Sequence, residues 1–175
     1  TFGGDCDSHG SVTLVAGDNK TCTITNEEKL TYLTLVKTVT NDNGGKALAT
    51  EWTLTATGPT NISGKTGDAS ITNVAVNSGV YTLSESGGPS GYTMGNWSCT
   101  GGSLSGNQIT LSSGQSATCT LTNNDQAGTL IVKKVVVNDD GGTLGAKDFT
   151  FKIDDGSPVA FEADGQNDIV INAGT

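Results

Sequence analysis

A chain of 175 residues with 25 glycines, 3 prolines and only 5% aromatic residues can build a thin core at most, enough for one or two small domains. Its 18 acidic against 9 basic residues give a formal charge of −9, which repels phosphate backbones and leaves no basic stripe, so nucleic acid is excluded as a partner. No apolar run approaches membrane-spanning length and neither a signal peptide nor a sorting tail is visible, so the chain reads as mature or as a fragment of something longer.

The polar residues are mostly Thr, Ser, Asn and Gly, and short alternating runs recur between Gly/Asn/Asp turns, which predicts a nearly all-β chain without helices. Leu33 to Thr40 alternates and ends in Asn41-Asp42-Asn43-Gly44-Gly45, whose positive-φ positions suit a hairpin reversal. Glu51 to Thr57 follows, with Trp52, Leu54 and Ala56 on one face, and then Ile62, Ala69 to Val76 and Val80 to Glu85. Met94 to Cys99, Gln108 to Leu111 and Ala117 to Asn123 complete the unit. About seven short strands at this spacing make a β-sandwich.

Four cysteines fall into two pairs, Cys6 with Cys22 and Cys99 with Cys119, each bridging a Ser/Thr/Gly-rich stretch. Zinc wants closer ligand pairs, and the one histidine, His9, stands alone in a turn, so two disulfides and an oxidising, extracytoplasmic location are the reading.

The strongest signal is a repeat. Asn41-Asp42-Asn43-Gly44-Gly45 returns as Asn138-Asp139-Asp140-Gly141-Gly142, and Thr21-Cys22-Thr23-Ile24-Thr25-Asn26 returns as Thr118-Cys119-Thr120-Leu121-Thr122-Asn123, both 97 residues later. The same register sets Lys134 on Lys37 and Phe149 on Trp52. Residues 28–125 are therefore expected to form one complete repeat, with 1–27 the C-terminal part of a preceding repeat and 126–175 the N-terminal part of a following one.

Within the complete repeat, Tyr81-Thr82-Leu83-Ser84-Glu85 places a carboxylate on a strand whose alternate residues are apolar. Such an acid is costly to bury unless something needs it. Lys37, on the first strand, and Asn123, on the last, are its candidate partners. The head Lys37-x5-Asn43-Gly44-Gly45-x-Ala47-Leu48-Ala49-x2-Trp52-x-Leu54, the middle Tyr81 to Tyr92 with Glu85, Pro89 and Gly91, and the tail Thr120-Leu121-Thr122-Asn123 together resemble the Cna-B, or SpaA-type prealbumin-like, repeats of bacterial surface proteins and pilins. That resemblance implies tandem antiparallel Ig-like or prealbumin-like β-sandwich repeats. It also implies a spontaneous intramolecular isopeptide bond between Lys37 and Asn123, assisted by Glu85. Two features depart from the family pattern: the segment after Lys37 is two residues longer than usual, and the Cys99/Cys119 pair offers an alternative staple.

The chemistry stands without the family. Burial in an apolar site favours a neutral lysine and a neutral glutamic acid, that is, a nucleophilic amine beside an acid able to polarise a carboxamide. Lys37 would attack Asn123 while Glu85 shuttles the proton and ammonia leaves, once per domain. The competing reading has Lys37 snorkelling to solvent and Asn123 capping a turn.

Three further sets of residues have two readings each. Asp42, Asp139 and Asp140 offer oxygen ligands to calcium or simply belong to turns. Trp97 with Tyr92 forms a sugar-stacking platform or covers the disulfide. The sequons at Asn19, Asn61 and Asn96 carry glycan only in a host with the machinery. No nucleophile–base pair or metal cluster is assembled, so a non-enzymatic protein without a cofactor is expected. The functional expectation is an extracellular, cell-surface structural repeat of a stalk, fibre or pilus-like filament. Its alternative is an adhesin-type module that binds a glycan or host protein. Ile171-Asn172-Ala173-Gly174-Thr175 aligns with Val76-Asn77-Ser78-Gly79-Val80, which sets Thr175 on Val80, and Thr1 aligns near Met94, so the two flanks sum to one repeat lacking the glutamate strand. Neighbouring copies of the chain are accordingly expected to pair head to tail, Lys134 facing Asn26 of a neighbour, with Glu27 or Glu28 standing in for the missing acid.

Overall fold

A computed structural model describes residues 1–173; Gly174 and Thr175, the latter matched to Val80 above, lie outside the described residues. Residues 1–27 hold β1 (Phe2–Gly4) and β2 (Cys22–Ile24), which pair antiparallel. The segment expected to be a complete repeat contributes β3 (Thr31–Thr40), β4 (Trp52–Thr57), β5 (Ile62–Gly64), β6 (Val74–Val76), β7 (Gly79–Gly87), β8 (Tyr92–Thr100), β9 (Ser103–Ser105), β10 (Gln108–Leu111) and β11 (Ser116–Asp125). The following residues form β12 (Gly128–Lys133), β13 (Thr150–Phe151), β14 (Val159–Ala160) and β15 (Gln166–Ile171), paired β12 with β15 and β13 with β14.

Strands β3 to β11 make the two sheets of a sandwich, in the orders β6-β3-β11-β8 and β5-β4-β7-β10-β9. The period-2 alternation explains both. On β3, Thr31, Leu33, Leu35 and Lys37 are buried, and on β11, Ala117, Cys119, Leu121, Asn123 and Asp125. By compactness the chain divides into one unit of residues 1–36, 54–85 and 97–120 and another of 37–53, 86–96 and 121–175. The first unit has an apolar core in which Leu33, Leu35, Leu54, Ile71, Tyr81, Leu83, Ile109 and Leu111 are almost wholly buried. Each aliphatic side chain there is worth roughly 1.5–3 kcal/mol. The second unit buries Trp52 but also Lys37, Asn123 and Asp125.

Several sequence expectations are corrected. Residues 28–125 carry nine strands, β3 to β11, because Ser103–Ser105, too short to alternate visibly, adds to the edge of β10. The run Ala69 to Val76 is a strand only from Val74. Before it, the Asp68 carboxylate accepts from Lys65 N at 2.8 Å and Ile71 N donates to Asp68 O at 3.2 Å, which closes a turn instead. Glu51 lies in a single 3-10 turn, Ala49–Glu51, where its carboxylate accepts from Leu48 N at 2.9 Å. The Asn41–Gly45 turn is not a hairpin, since β3 and β4 belong to different sheets and the loop crosses between them.

Nor is the sandwich purely antiparallel. Tyr32 N donates to Gln115 O at 3.0 Å, and Thr38 and Thr122 share a hydroxyl hydrogen bond at 2.6 Å. Contacts that rise together along both strands make β3 and β11 parallel.

Local geometry recurs 97 residues apart. Asn138 Nδ2 donates to Leu144 O as Asn41 Nδ2 donates to Ala47 O. Gly145 N donates to Asp148 as Leu48 N donates to Glu51, and the 3-10 turn Ala146–Asp148 repeats Ala49–Glu51.

Both expected disulfides are present, Cys6–Cys22 and Cys99–Cys119. The second closes a loop of 20 residues in sequence, worth about 3 kcal/mol through loss of unfolded-chain entropy. Replacing Cys99 and Cys119 together by alanine should lower the unfolding free energy by about that amount, read as a shifted denaturation midpoint; an unshifted midpoint would contradict this role for the bridge.

Candidate functional site

The structure brings two of the sequence-predicted residues together in one sheet. With Thr38 beside Thr122, Lys37 stands beside Leu121, and Asn123 is the next inward position on β11, a diagonal neighbour within reach of a long side chain. Both residues are 2% exposed. Lys37 therefore does not snorkel, and Asn123 sits inside a strand instead of capping a turn. Burying a lysine is expensive, and part of the cost is offset by the Trp52 ring, whose centroid lies 5.0 Å from Lys37 Nζ. Lys134 repeats the arrangement with its nitrogen 4.1 Å from the Phe149 centroid.

Glu85 continues the inward run of Tyr81 and Leu83 on β7, which lies next to β4 in the sheet order. The residue as a whole is half-buried. Lys37 Nζ, Asn123 Oδ1 and Glu85 Oε2 are each shut off from solvent.

Beyond Asn123 the same strand face carries Asp125, which sequence reasoning missed. Its carboxylate accepts from the backbone nitrogens of Asp42 (3.0 Å), Asn43 (2.9 Å) and Gly45 (2.6 Å), while Asn43 Nδ2 donates to Asp125 O at 3.2 Å. The loop that the sequence offered as a cation site is thus folded around an anion. Asp42 accepts from Asn43 Nδ2 at 2.9 Å, Asp139 and Asp140 are exposed, and no group of three acidic, His or Cys side chains among the described residues is arranged to hold a metal. Glycine is required twice here: Gly44 has φ 87°, and a Cβ on Gly45 would lie 2.2 Å from Tyr92 Oη and 2.8 Å from Asp125. Burial raises the Asp125 pKa, but the hydrogen bonds from Gly45, Asn43 and Asp42 outweigh it and hold the carboxyl below the usual aspartate value. The inward alternation of Leu121, Asn123 and Asp125 was the available signal.

Tyr92 is tied into the same loop. Its hydroxyl donates to Asn41 Oδ1 at 2.6 Å and accepts from Ala47 N at 3.0 Å, and its ring meets Trp52 edge-on at 5.4 Å. Trp97 is 9% exposed. Trp97 thus lies in the core, and the Tyr92 hydroxyl is taken up by the loop while the residue as a whole is half-buried.

Once this geometry is in view, comparison with known families is decisive. A family model described as a prealbumin-like fold domain, of the SpaA type, matches residues 28–121 and again 125–175. The chain belongs to the SpaA-type prealbumin-like fold family. Neither the search of curated proteins nor that of solved structures gave a match. The first SpaA-type match contains Lys37 and Glu85 and stops just short of Asn123, and the second contains Lys134. Among the described residues of this SpaA-type chain no helix is long and apolar enough to cross a membrane.

The Asp125 clamp has a defined acid dependence. Because its folded pKa is lowered, its stabilising effect is complete above the ordinary carboxylate pKa and is lost as pH falls through the lowered value. Amide exchange at Asp42, Asn43 and Gly45 should accelerate over that acid range, and Asp125→Asn should remove the dependence while speeding exchange at neutral pH. Exchange that is the same in both proteins at every pH would refute the clamp.

Proposed function

We propose that this chain is a structural module of an extracellular, cell-surface stalk, fibre or pilus-like filament. In this reading its complete sandwich is locked by a Lys37–Asn123 isopeptide bond in addition to the Cys99–Cys119 disulfide. The observation that carries the proposal is a lysine and an asparagine, both buried, at diagonal positions on adjacent parallel strands. The uncharged Lys37 amine attacks the Asn123 side-chain carbonyl carbon, a C–N bond forms, and the amide nitrogen leaves as ammonia with the proton given up by lysine. Glu85, as the acid, polarises the carboxamide and relays that proton. The event occurs once per chain, so it is maturation and not turnover.

Mechanics supports this use of the fold. The chain enters the unit at β3 and leaves it at β11. Tension on a parallel pair loaded at opposite ends shears all its hydrogen bonds at once, and a covalent cross-link within that pair would carry the load. The burial of Trp97 and the internal use of the Tyr92 hydroxyl also favour a stalk over a glycan-binding surface. The matched SpaA-type family agrees with a pilin-like structural role.

Intact mass tests the reading. The chain is expected to weigh one ammonia less than its sequence with both disulfides counted, and Glu85→Gln should restore the missing mass. A full mass for the unaltered chain would reject the isopeptide and leave the disulfide as the sole staple of the complete sandwich.

A further inference from the structure

We propose that Asn43 and Gly44 form a self-modification site: the Asn43 carboxamide deamidates through the Gly44 backbone nitrogen when the Asp125 clamp opens, and the product keeps the clamp from closing again. Asn43-Gly44 is the one Asn-Gly pair in the chain. Glycine suits this reaction, because the missing Cβ leaves its nitrogen open to the preceding side-chain carbonyl, one five-membered ring away. Asn43 is half-buried and Gly44 exposed, so water reaches the pair. Among the described residues no acceptor takes the Gly44 N–H.

The clamp decides when the reaction runs. Asn43 Nδ2, the nitrogen that must leave, donates to Asp42 Oδ1 at 2.9 Å and to Asp125 O at 3.2 Å. Asn43 N and Gly45 N, on either side of the attacking nitrogen, are held by the Asp125 carboxylate at 2.9 Å and 2.6 Å. Turning the carboxamide toward Gly44 breaks the two side-chain bonds, so ring closure belongs to the opened loop. There the Gly44 nitrogen adds to Asn43 Cγ, a C–N bond forms, and the amide nitrogen departs as ammonia with the proton given up by Gly44. Water then opens the succinimide at one of its two carbonyls, leaving aspartate or, where the chain now runs through the former side chain, isoaspartate.

Neither product fits the original geometry. A carboxylate at position 43 has no hydrogens for Asp42 Oδ1 and Asp125 O, and it sets a second negative charge beside Asp42. Isoaspartate also adds a backbone atom between two nitrogens that Asp125 holds together, next to a glycine already hard against Ala173 O. Opening therefore permits the reaction and the reaction prevents closing, so the loop keeps a permanent record of having been opened. The second copy of the loop already carries an exposed aspartate, Asp140, at this position and has no amide to lose.

The test incubates the whole chain in mildly alkaline buffer beside Asp125→Asn and Asn43→Asp, and follows each asparagine by peptide mapping. The reading is the rate at Asn43 relative to that at the exposed Asn77, which precedes a serine, so general unfolding, which speeds both, is separated from loop opening. Unaltered protein should convert at Asn43 ahead of every other asparagine, and Asp125→Asn should raise the ratio about tenfold or more, because a charge-assisted clamp is lost. Asn43→Asp, which already carries one product, should show fast amide exchange at Asp42 and Gly45. A ratio unchanged by Asp125→Asn, conversion in the unaltered chain that does not favour Asn43, or exchange in Asn43→Asp as slow as in the unaltered chain would each overturn the proposal. Deamidation followed by ring opening adds mass whereas the Lys37–Asn123 bond removes it, so the two events are read apart and this outcome stands whichever way the staple is decided.

Discussion

The parallel pairing of β3 with β11 is the constraint from which the other features of the complete sandwich follow. It places the first and last strands of the unit side by side, so the inward residues of one, Leu33, Leu35 and Lys37, run alongside those of the other, Leu121, Asn123 and Asp125. Toward the exit of both strands the buried face therefore turns from aliphatic to polar. An apolar core cannot accept an amine, a carboxamide and a carboxylate without partners. The structure answers with the Trp52 ring at Lys37 and with the backbone nitrogens of the Asn41–Gly45 loop at Asp125.

That loop does more than connect two sheets. Asn43 offers its backbone N–H and side chain to Asp125, and its carbonyl accepts from Ala173 N at 2.8 Å. One residue of the crossover is thus held both by the last strand of the complete unit and by a residue near the end of the following segment. The close approaches at Gly44 and Gly45 explain the paired glycines better than a reversal does.

Much of this was legible in the residues, and what was not has physical reasons. The alternation of Leu33, Leu35 and Lys37 pointed the lysine inward, and the 97-residue register matched Lys134 and Phe149 to Lys37 and Trp52, two pairs that the structure brings into contact. Strand direction was invisible because a period of two looks the same in parallel and antiparallel pairs. Asp125 was lost because the last strand was read as ending at Asn123, and a carboxylate satisfied by backbone nitrogens leaves no partner side chain to notice. Ser103–Ser105 was too short to register, whereas Ala69 to Asn73 was read as strand although Asp68 folds its start into a turn. A side chain that bonds its own backbone overrides weak strand propensity.

The position of the Cys99–Cys119 bridge also sets how far the module is able to lengthen. It ties β8 to β11 across Cα atoms 4.1 Å apart and takes 20 residues of sequence, with all of β9 and β10, out of any path of tension along the chain. At 3.3–3.6 Å per extended residue, an opened module with the bridge intact hides about 65 Å of contour, and Cys6–Cys22, 16 residues apart, hides about 50 Å more. Without the proposed Lys37–Asn123 bond, thiol reductants would release both lengths; with it, residues 38–122 already lie outside the path of tension, and only the Cys6–Cys22 length depends on the redox state of the surroundings.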